Sequence, residues 1–199
     1  MPKVSQQELI AGVKQGKVIS FPTDTVPALA ALPNYASLIF ATKKRPPDKP
    51  LILMGSSPKA IWKYVQGTPE EFRIWQEVVQ KYWPGQLTLV LPASELVPKD
   101  MNPLDNSTIG VRIPDSVIAR NILKETGCLA TTSANLSGEP PKEKLREIVV
   151  SFPNALVLDK EPLNNGKKYG SGLPSTVAKW TNQGWIILRQ GSIQLTGND

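Results

Sequence analysis

The 199-residue chain contains no histidine at all. That absence excludes Ser-His-Asp and Cys-His catalysis and any histidine-held metal centre. Only one cysteine is present, Cys128, inside an apolar stretch. A single thiol makes no disulfide framework and fits a reducing compartment. Without histidine to activate it, Cys128 reads as a buried thiol and not as a nucleophile. No apolar run approaches the ~20 residues of a membrane span, and Met1 to Gln15 is too polar for a signal peptide. Carboxylates are also outnumbered: 23 Lys and Arg face 17 Asp and Glu, a net charge of +6. That balance favours acidic partners, namely nucleotide phosphates, RNA or an anionic surface. The chemistry must then rest on carboxylates, hydroxyls, cations, backbone amides or a metal carried by the substrate.

Proline is abundant, with 19 residues spread mostly over expected element boundaries. They stiffen connections. The stretch Lys43 to Pro50, KKRPPDKP, sets four cations and one carboxylate among three prolines. Pro46 cannot continue a helix, so Lys43 and Arg45 fall at a helix end on a stiffened turn. Arg45 offers a planar fork for phosphate or carboxylate and Lys43 a point charge. By charge alone the stretch reads first as a solvated loop at a helix C-terminus, where the dipole favours cations, and only second as a ligand site.

Helical and strand patterns alternate along the chain. Ser5 and Glu8 predict a capping box for a helix over 5–15, and Thr68, Pro69 and Glu71 predict another to about Tyr82. Asn34 is expected to cap a helix over 35–43. Shorter helices are expected over 57–65, 114–126 and 142–150. Strands are expected over 18–21, 50–54, 86–91, 107–113, 128–131 and 155–158, with a closing pair over 175–180 and 185–188. Interleaving of this kind predicts one α/β domain over 1–193 with a twisted, open, mixed sheet, flanking helices and a frayed tail over 194–199. Trp62, Trp75 and Trp83 read as packing residues. Two strands run into hydroxyl-rich turns, Pro22 to Pro27 and Thr131 to Gly138. Such turns at strand C-termini hold ligands in open α/β sheets, and they also serve as plain turns. Arg112 stands among Ile109, Val111 and Ile113, on one face of its strand. Hydroxyls, backbone amides, Lys43, Arg45, Lys49, Arg112 and Arg189 together suit a polyanion with a small polar co-ligand. No Walker A motif and no carboxylate cluster for a protein-held metal is present. Gly170-Ser171-Gly172 is weak phosphate-binding evidence.

SFPTDTV, KKRPPDKPLIL, WPGQLTLVLP, TIGVRIP, TTSANLSG, STV and LRQGSI occur in this order. Together they resemble the YrdC-like family of threonylcarbamoyl-AMP synthases, from about Val4 to Ile193. The resemblance implies an α/β open sheet with a basic concave face. It implies an adenylating enzyme in the cytoplasm. The reaction joins L-threonine, bicarbonate or CO2, and ATP (carrying Mg2+) to give threonylcarbamoyl-AMP and pyrophosphate, for t6A modification of tRNA by downstream threonylcarbamoyl transferase machinery. The family's KxR and SxN pairs fall on Lys43 and Arg45 and on Ser133 and Asn135, as catalytic positions that hold ATP. Lys49, Thr108, Ala134 and Arg189 match further ATP-binding positions. Thr25, Arg112, Thr132 and Ser175 match threonine-binding positions. Departures from the commoner pattern are Pro27, Ala28 and Ala30 in place of a tyrosine and glycines, Met54 in place of a histidine, and Lys49 in place of an asparagine. The alternative reading is an RNA- or ribosome-binding protein using the same basic face without adenylation.

Overall fold

A computed structural model describes residues 3–142, 144–159 and 170–195, with only the backbone of Leu145. Lys167, Lys168 and residues 196–199 of the expected tail lie outside the described residues. In chain order the elements are β1 (Lys3–Val4), α1 (Gln6–Lys14), β2 (Ile19–Phe21), β3 (Ala28–Ala31), α2 (Ala36–Lys43), β4 (Ile52–Met54), α3 (Pro58–Trp62), α4 (Pro69–Tyr82), β5 (Leu87–Pro92), β6 (Thr108–Arg112), α5 (Val117–Thr126), β7 (Leu129–Ser133), α6 (Leu145–Ser151), β8 (Leu156–Leu158), β9 (Thr176–Thr181) and β10 (Gly184–Arg189).

The strands form one ten-stranded sheet in the order β1-β8-β2-β3-β7-β4-β6-β5-β9-β10. Pairing is mixed. β8 lies parallel to β1 and β2, β4 to β6, and β5 to β9, while the remaining neighbours are antiparallel. Both expected capping boxes form, Ser5 with Glu8 and Thr68 with Glu71, so each helix starts with its first amides satisfied.

Several expectations need correction. Asn34 is not a cap: Pro33–Tyr35 forms a 3-10 turn, and α2 follows with no side-chain cap. β1 and β3 were not expected. β3 is Ala-Leu-Ala-Ala, which lacks the β-branched residues that mark strands, yet it is buried throughout between β2 and β7. β7 continues to Ser133, so Thr132 and Ser133 stand on a strand and not in a turn. The helix expected from Pro114 begins at Val117, capped by Ser116, and the last helix is shorter and later than 142–150.

Two hydrophobic clusters sandwich the sheet. Behind it, Ile39, Ile61, Trp75, Val78 and Ile148 from α2, α3, α4 and α6, with Phe152 just after α6, pack on Leu53, Leu89, Val111 and Ala130. The expected packing role of the tryptophans holds: Trp62 stacks with Trp83 at 6.3 Å, and Trp75 meets Trp180 edge-on at 6.2 Å. Ile193 and Leu195 also pack against this cluster. Cys128 is buried, and burial pushes its thiol up to about 11, which suits packing and not nucleophilic attack. In front, Leu9, Val13, Ile122 and Leu123 of α1 and α5 cover Ile19, Phe21, Ala28, Ala30 and Leu129. That front layer covers the β8, β2, β3 and β7 side and reaches Met54 at the end of β4. The registers Ile52↔Gly110, Val90↔Gly110 and Val90↔Lys179 place these residues side by side across β4, β6, β5 and β9. They lie on the front face and line open space. No helix among the described residues is long and apolar enough to cross a membrane.

Candidate functional site

Two abutting compartments occupy the uncovered front face. The smaller, about 130 Å³, is lined by Thr23, Thr25, Val26, Ala28, Arg45, Pro50, Ile52, Met54, Arg112, Thr131, Thr132, Ser133, Pro174, Ser175 and Arg189. The larger, about 410 Å³, is lined among others by Thr88, Val90, Thr108, Gly110, Val177, Lys179 and Leu188. Arg45, Pro50, Ile52 and Arg189 line both, so two guanidinium groups stand at the junction.

Arg112 is delivered by strand alternation. Ile109 and Val111 face the rear core while Thr108, Gly110 and Arg112 face front. Its guanidinium is almost fully buried and all three nitrogens are engaged. Nε donates to the Gly85 carbonyl at 3.0 Å, Nη1 to Thr25 Oγ1 at 2.8 Å and Nη2 to Asp24 Oδ1 at 2.7 Å. Burial lowers its pKa and Asp24 opposes that shift. Such a buried ion pair is tolerated because its charges compensate.

The turn Pro22 to Pro27 is tied from within by Thr23 Oγ1, which donates to the Val26 carbonyl at 2.7 Å. It is tied from outside by Ser171 and Gly172, whose amides donate to the Asp24 and Thr25 carbonyls at 3.0 and 2.9 Å. Gly170, at φ +68°, allows this approach: a side chain there would collide with the Thr25 carbonyl oxygen. Ser175 hydrogen-bonds Thr88 Oγ1 at 2.8 Å, and its carbonyl accepts from Arg189 Nε at 3.0 Å and Nη2 at 2.9 Å. Segments 85 residues and more apart in sequence thus meet at one cavity.

The Lys43–Pro50 turn divides sharply. Lys44 takes a left-handed conformation (φ 50°) that ends α2 and leaves its side chain exposed. Lys43, only 1% exposed, points inward. Its ammonium donates to the Ser133 carbonyl at 2.6 Å, the Asn135 carbonyl at 2.7 Å and Asn135 Oδ1 at 3.1 Å, with Ser133 Oγ at 3.4 Å. These oxygens favour the charged form. Burial, with Arg45 and Lys49 beyond, pushes the ammonium down to about 7. Arg45 points the other way, toward the compartments. Nε donates to the Lys49 carbonyl at 2.7 Å and Nη2 to the Pro50 carbonyl at 2.9 Å, so the turn braces its own arginine.

Of the residues singled out in the sequence, Thr25, Arg45, Arg112, Thr132, Ser133, Ser175 and Arg189 line the smaller compartment. Arg45, Thr108 and Arg189 line the larger. Lys43, Lys49, Ala134 and Asn135 line neither. Ala134 and Asn135 are buried behind Ser133, and the Asn135 amide donates to the Leu136 and Glu139 carbonyls at 2.8 and 2.7 Å. Lys49 contributes its carbonyl to Arg45 and keeps its side chain exposed. Asp24, Thr88 and Gly110 were passed over in the sequence. Alternation within TIGVR was the available signal for Gly110. Met54 and Ala28, two of the departures noted above, line the smaller compartment and make part of its wall apolar.

The family model for Sua5, YciO and YrdC proteins, described as telomere recombination, matches residues 12–191. Threonylcarbamoyl-AMP synthase of Pyrococcus abyssi is 34% identical over 92% of this chain and 53% of its own length. That of Vibrio parahaemolyticus is 32% identical over 93% of this chain and 98% of its own. The chain thus spans about half the length of the Pyrococcus relative. The structure of P. abyssi Sua5 complexed with L-threonine superposes with a TM-score of 0.81 at 30% identity, covering 94% of this chain and 55% of that one. On the family match and the shared fold, the chain belongs to the Sua5/YciO/YrdC family.

Proposed function

We propose that this protein makes threonylcarbamoyl-AMP and pyrophosphate from L-threonine, bicarbonate or CO2, and ATP bound with its magnesium ion. The observation that carries the reading is the pair of abutting compartments joined by Arg45 and Arg189. The smaller suits an amino acid, with Arg112 for its carboxylate and Thr25, Thr132 and Ser175 around it. The larger suits the nucleoside of ATP, with Thr108 and the apolar floor beside Gly110. Phosphates would then lie at the junction, between Arg45 and Arg189, with Ser133 at hand.

The chemistry needs little acid–base help. The threonine amine adds to CO2, losing one proton, and forms a carbamate. A carbamate oxygen attacks the α-phosphorus, the α–β bridging bond breaks, and pyrophosphate leaves with magnesium. Positioning and charge neutralisation do most of this work, which a chain without histidine can supply. Lys43 acts as a positioning residue in this reading. Its ammonium is committed to Ser133 and Asn135, so it sets the exit of β7 and not the phosphates. The product would pass, in the cytoplasm, to machinery that modifies tRNA.

The test measures pyrophosphate release by folded protein with ATP and bicarbonate, with and without L-threonine. Threonine-dependent release is expected. Its absence overturns the proposal.

A further inference from the structure

Asp24 lines neither compartment, and no threonine- or ATP-binding role falls on it from the sequence. Its carboxylate is nonetheless the only acidic group paired with Arg112 among the described residues. Both side chains are buried, 5% exposed for Arg112 and 9% for Asp24. The backbone of Asp24 is held as well. Its carbonyl accepts from Gln86 Nε2 and from the Ser171 amide, both at 3.0 Å.

The way the pair is joined is unusual. Asp24 holds Arg112 through Oδ1 alone, while Oδ2 is buried and has no hydrogen-bond partner among the described residues. A buried carboxylate oxygen without a donor is costly, so such a group calls for a reason. A fork-on-carboxylate grip would satisfy both oxygens, but it would occupy a second guanidinium N–H. Arg112 has five N–H groups. One goes to Gly85, one to Thr25 and one to Asp24, which leaves two. Arg112 lines the smaller compartment, so those two N–H groups are left over beside it.

We infer that Asp24 is a positioning residue for the amino-acid substrate, acting through Arg112. It compensates the buried charge and fixes the plane of the fork, and its single-oxygen grip leaves two N–H groups for a carboxylate in the smaller compartment. This inference rests on the proposed function, because it takes the amino-acid carboxylate as the ligand of Arg112.

The experiment compares wild type, Asp24→Asn and Asp24→Glu in threonine binding, ATP binding and melting temperature. The asparagine keeps the shape and an acceptor but removes the charge. The glutamate keeps the charge on a longer arm. Asp24→Asn should weaken threonine at least about tenfold, the scale of one charge-assisted bond, with ATP affinity changed less than about twofold. Asp24→Glu should recover part of the threonine affinity. In the Arg112→Lys background, Asp24→Asn should add little further loss, because both act on one contact. Threonine binding by Asp24→Asn equal to wild type overturns the inference alone. Parallel loss of threonine and ATP affinity with a lowered melting temperature also overturns it, since the role is then structural. A folded wild type that binds no threonine overturns the proposed function, and this inference with it.

Discussion

The two compartments share a wall and differ in construction. The smaller is assembled at strand ends and turns, from Thr25, Thr132, Ser133, Ser175 and three arginines, with Arg112 bonded to Thr25 and Ser175 to Thr88 across long stretches of sequence. The larger is the pleated face of the sheet itself, floored by Val90, Gly110 and Val177, with charges (Asp48, Asp105, Lys179) mixed among its walls. Directional bonds held in fixed positions can select one small polar ligand. A broad, largely apolar floor accepts a flat ring by contact area and discriminates less. The contrast assigns selectivity to the smaller compartment and reach to the larger.

Substitutions can break that contrast. The largest effect is expected for Arg112→Lys. An ammonium cannot reproduce the planar fork, so threonine-dependent pyrophosphate release should fall about 100-fold while ATP affinity stays within about twofold. Kinetics with each substrate varied in turn check this, and equal losses for both substrates would erase the distinction between compartments. Next comes Arg45→Ala at the junction. ATP should bind at least about tenfold more weakly, read by calorimetry, with the melting temperature in the absence of ATP nearly unchanged, since its two bonds are to its own turn. Equal ATP affinity would mark the turn as a solvated loop. Gly110→Val sharpens the comparison from the other side. A Cβ there would lie 3.4 Å from Ile52 Cγ1 and 3.6 Å from Thr88 Cγ2, so valine fills the floor of the larger compartment. ATP affinity should drop several-fold and threonine affinity should hold. The smallest effect is expected for Lys44→Gly. It leaves both compartments alone and relieves the left-handed backbone, raising stability by about 0.5–1 kcal/mol in denaturant melts, with activity unchanged.

Local signals read well in the sequence. Ser5 with Glu8 and Thr68 with Glu71 mark helix starts because the capping box is made within four residues. Alternation in Thr108 to Arg112 marks the face on which Arg112 lies. β3 was hidden because Ala28 to Ala31 is strand only by virtue of its neighbours, and Asn34 misled because Pro33 draws it into a 3-10 turn. The site divides similarly. Residues that line the compartments were found at Thr25, Arg45, Arg112, Thr132, Ser133, Ser175 and Arg189. The direction in which Lys43 points was not legible, because its partners stand 90 and 92 residues away.

The sequence by itself determined the α/β alternation, the exclusion of histidine chemistry, the excess of cations and the order of the motifs that carry the family. These depend on composition and on neighbours within a few positions. Tertiary structure decided which cations face the cavity and which are consumed by the protein. Lys43 and Arg45 are two residues apart on one turn, yet one is buried on backbone oxygens and the other stands between two compartments. The pairing of Asp24 with Arg112 was decided there too, because only the folded sheet brings residues 88 apart to 2.7 Å. Charge is written in the sequence, but the partner that neutralises each charge is chosen by packing.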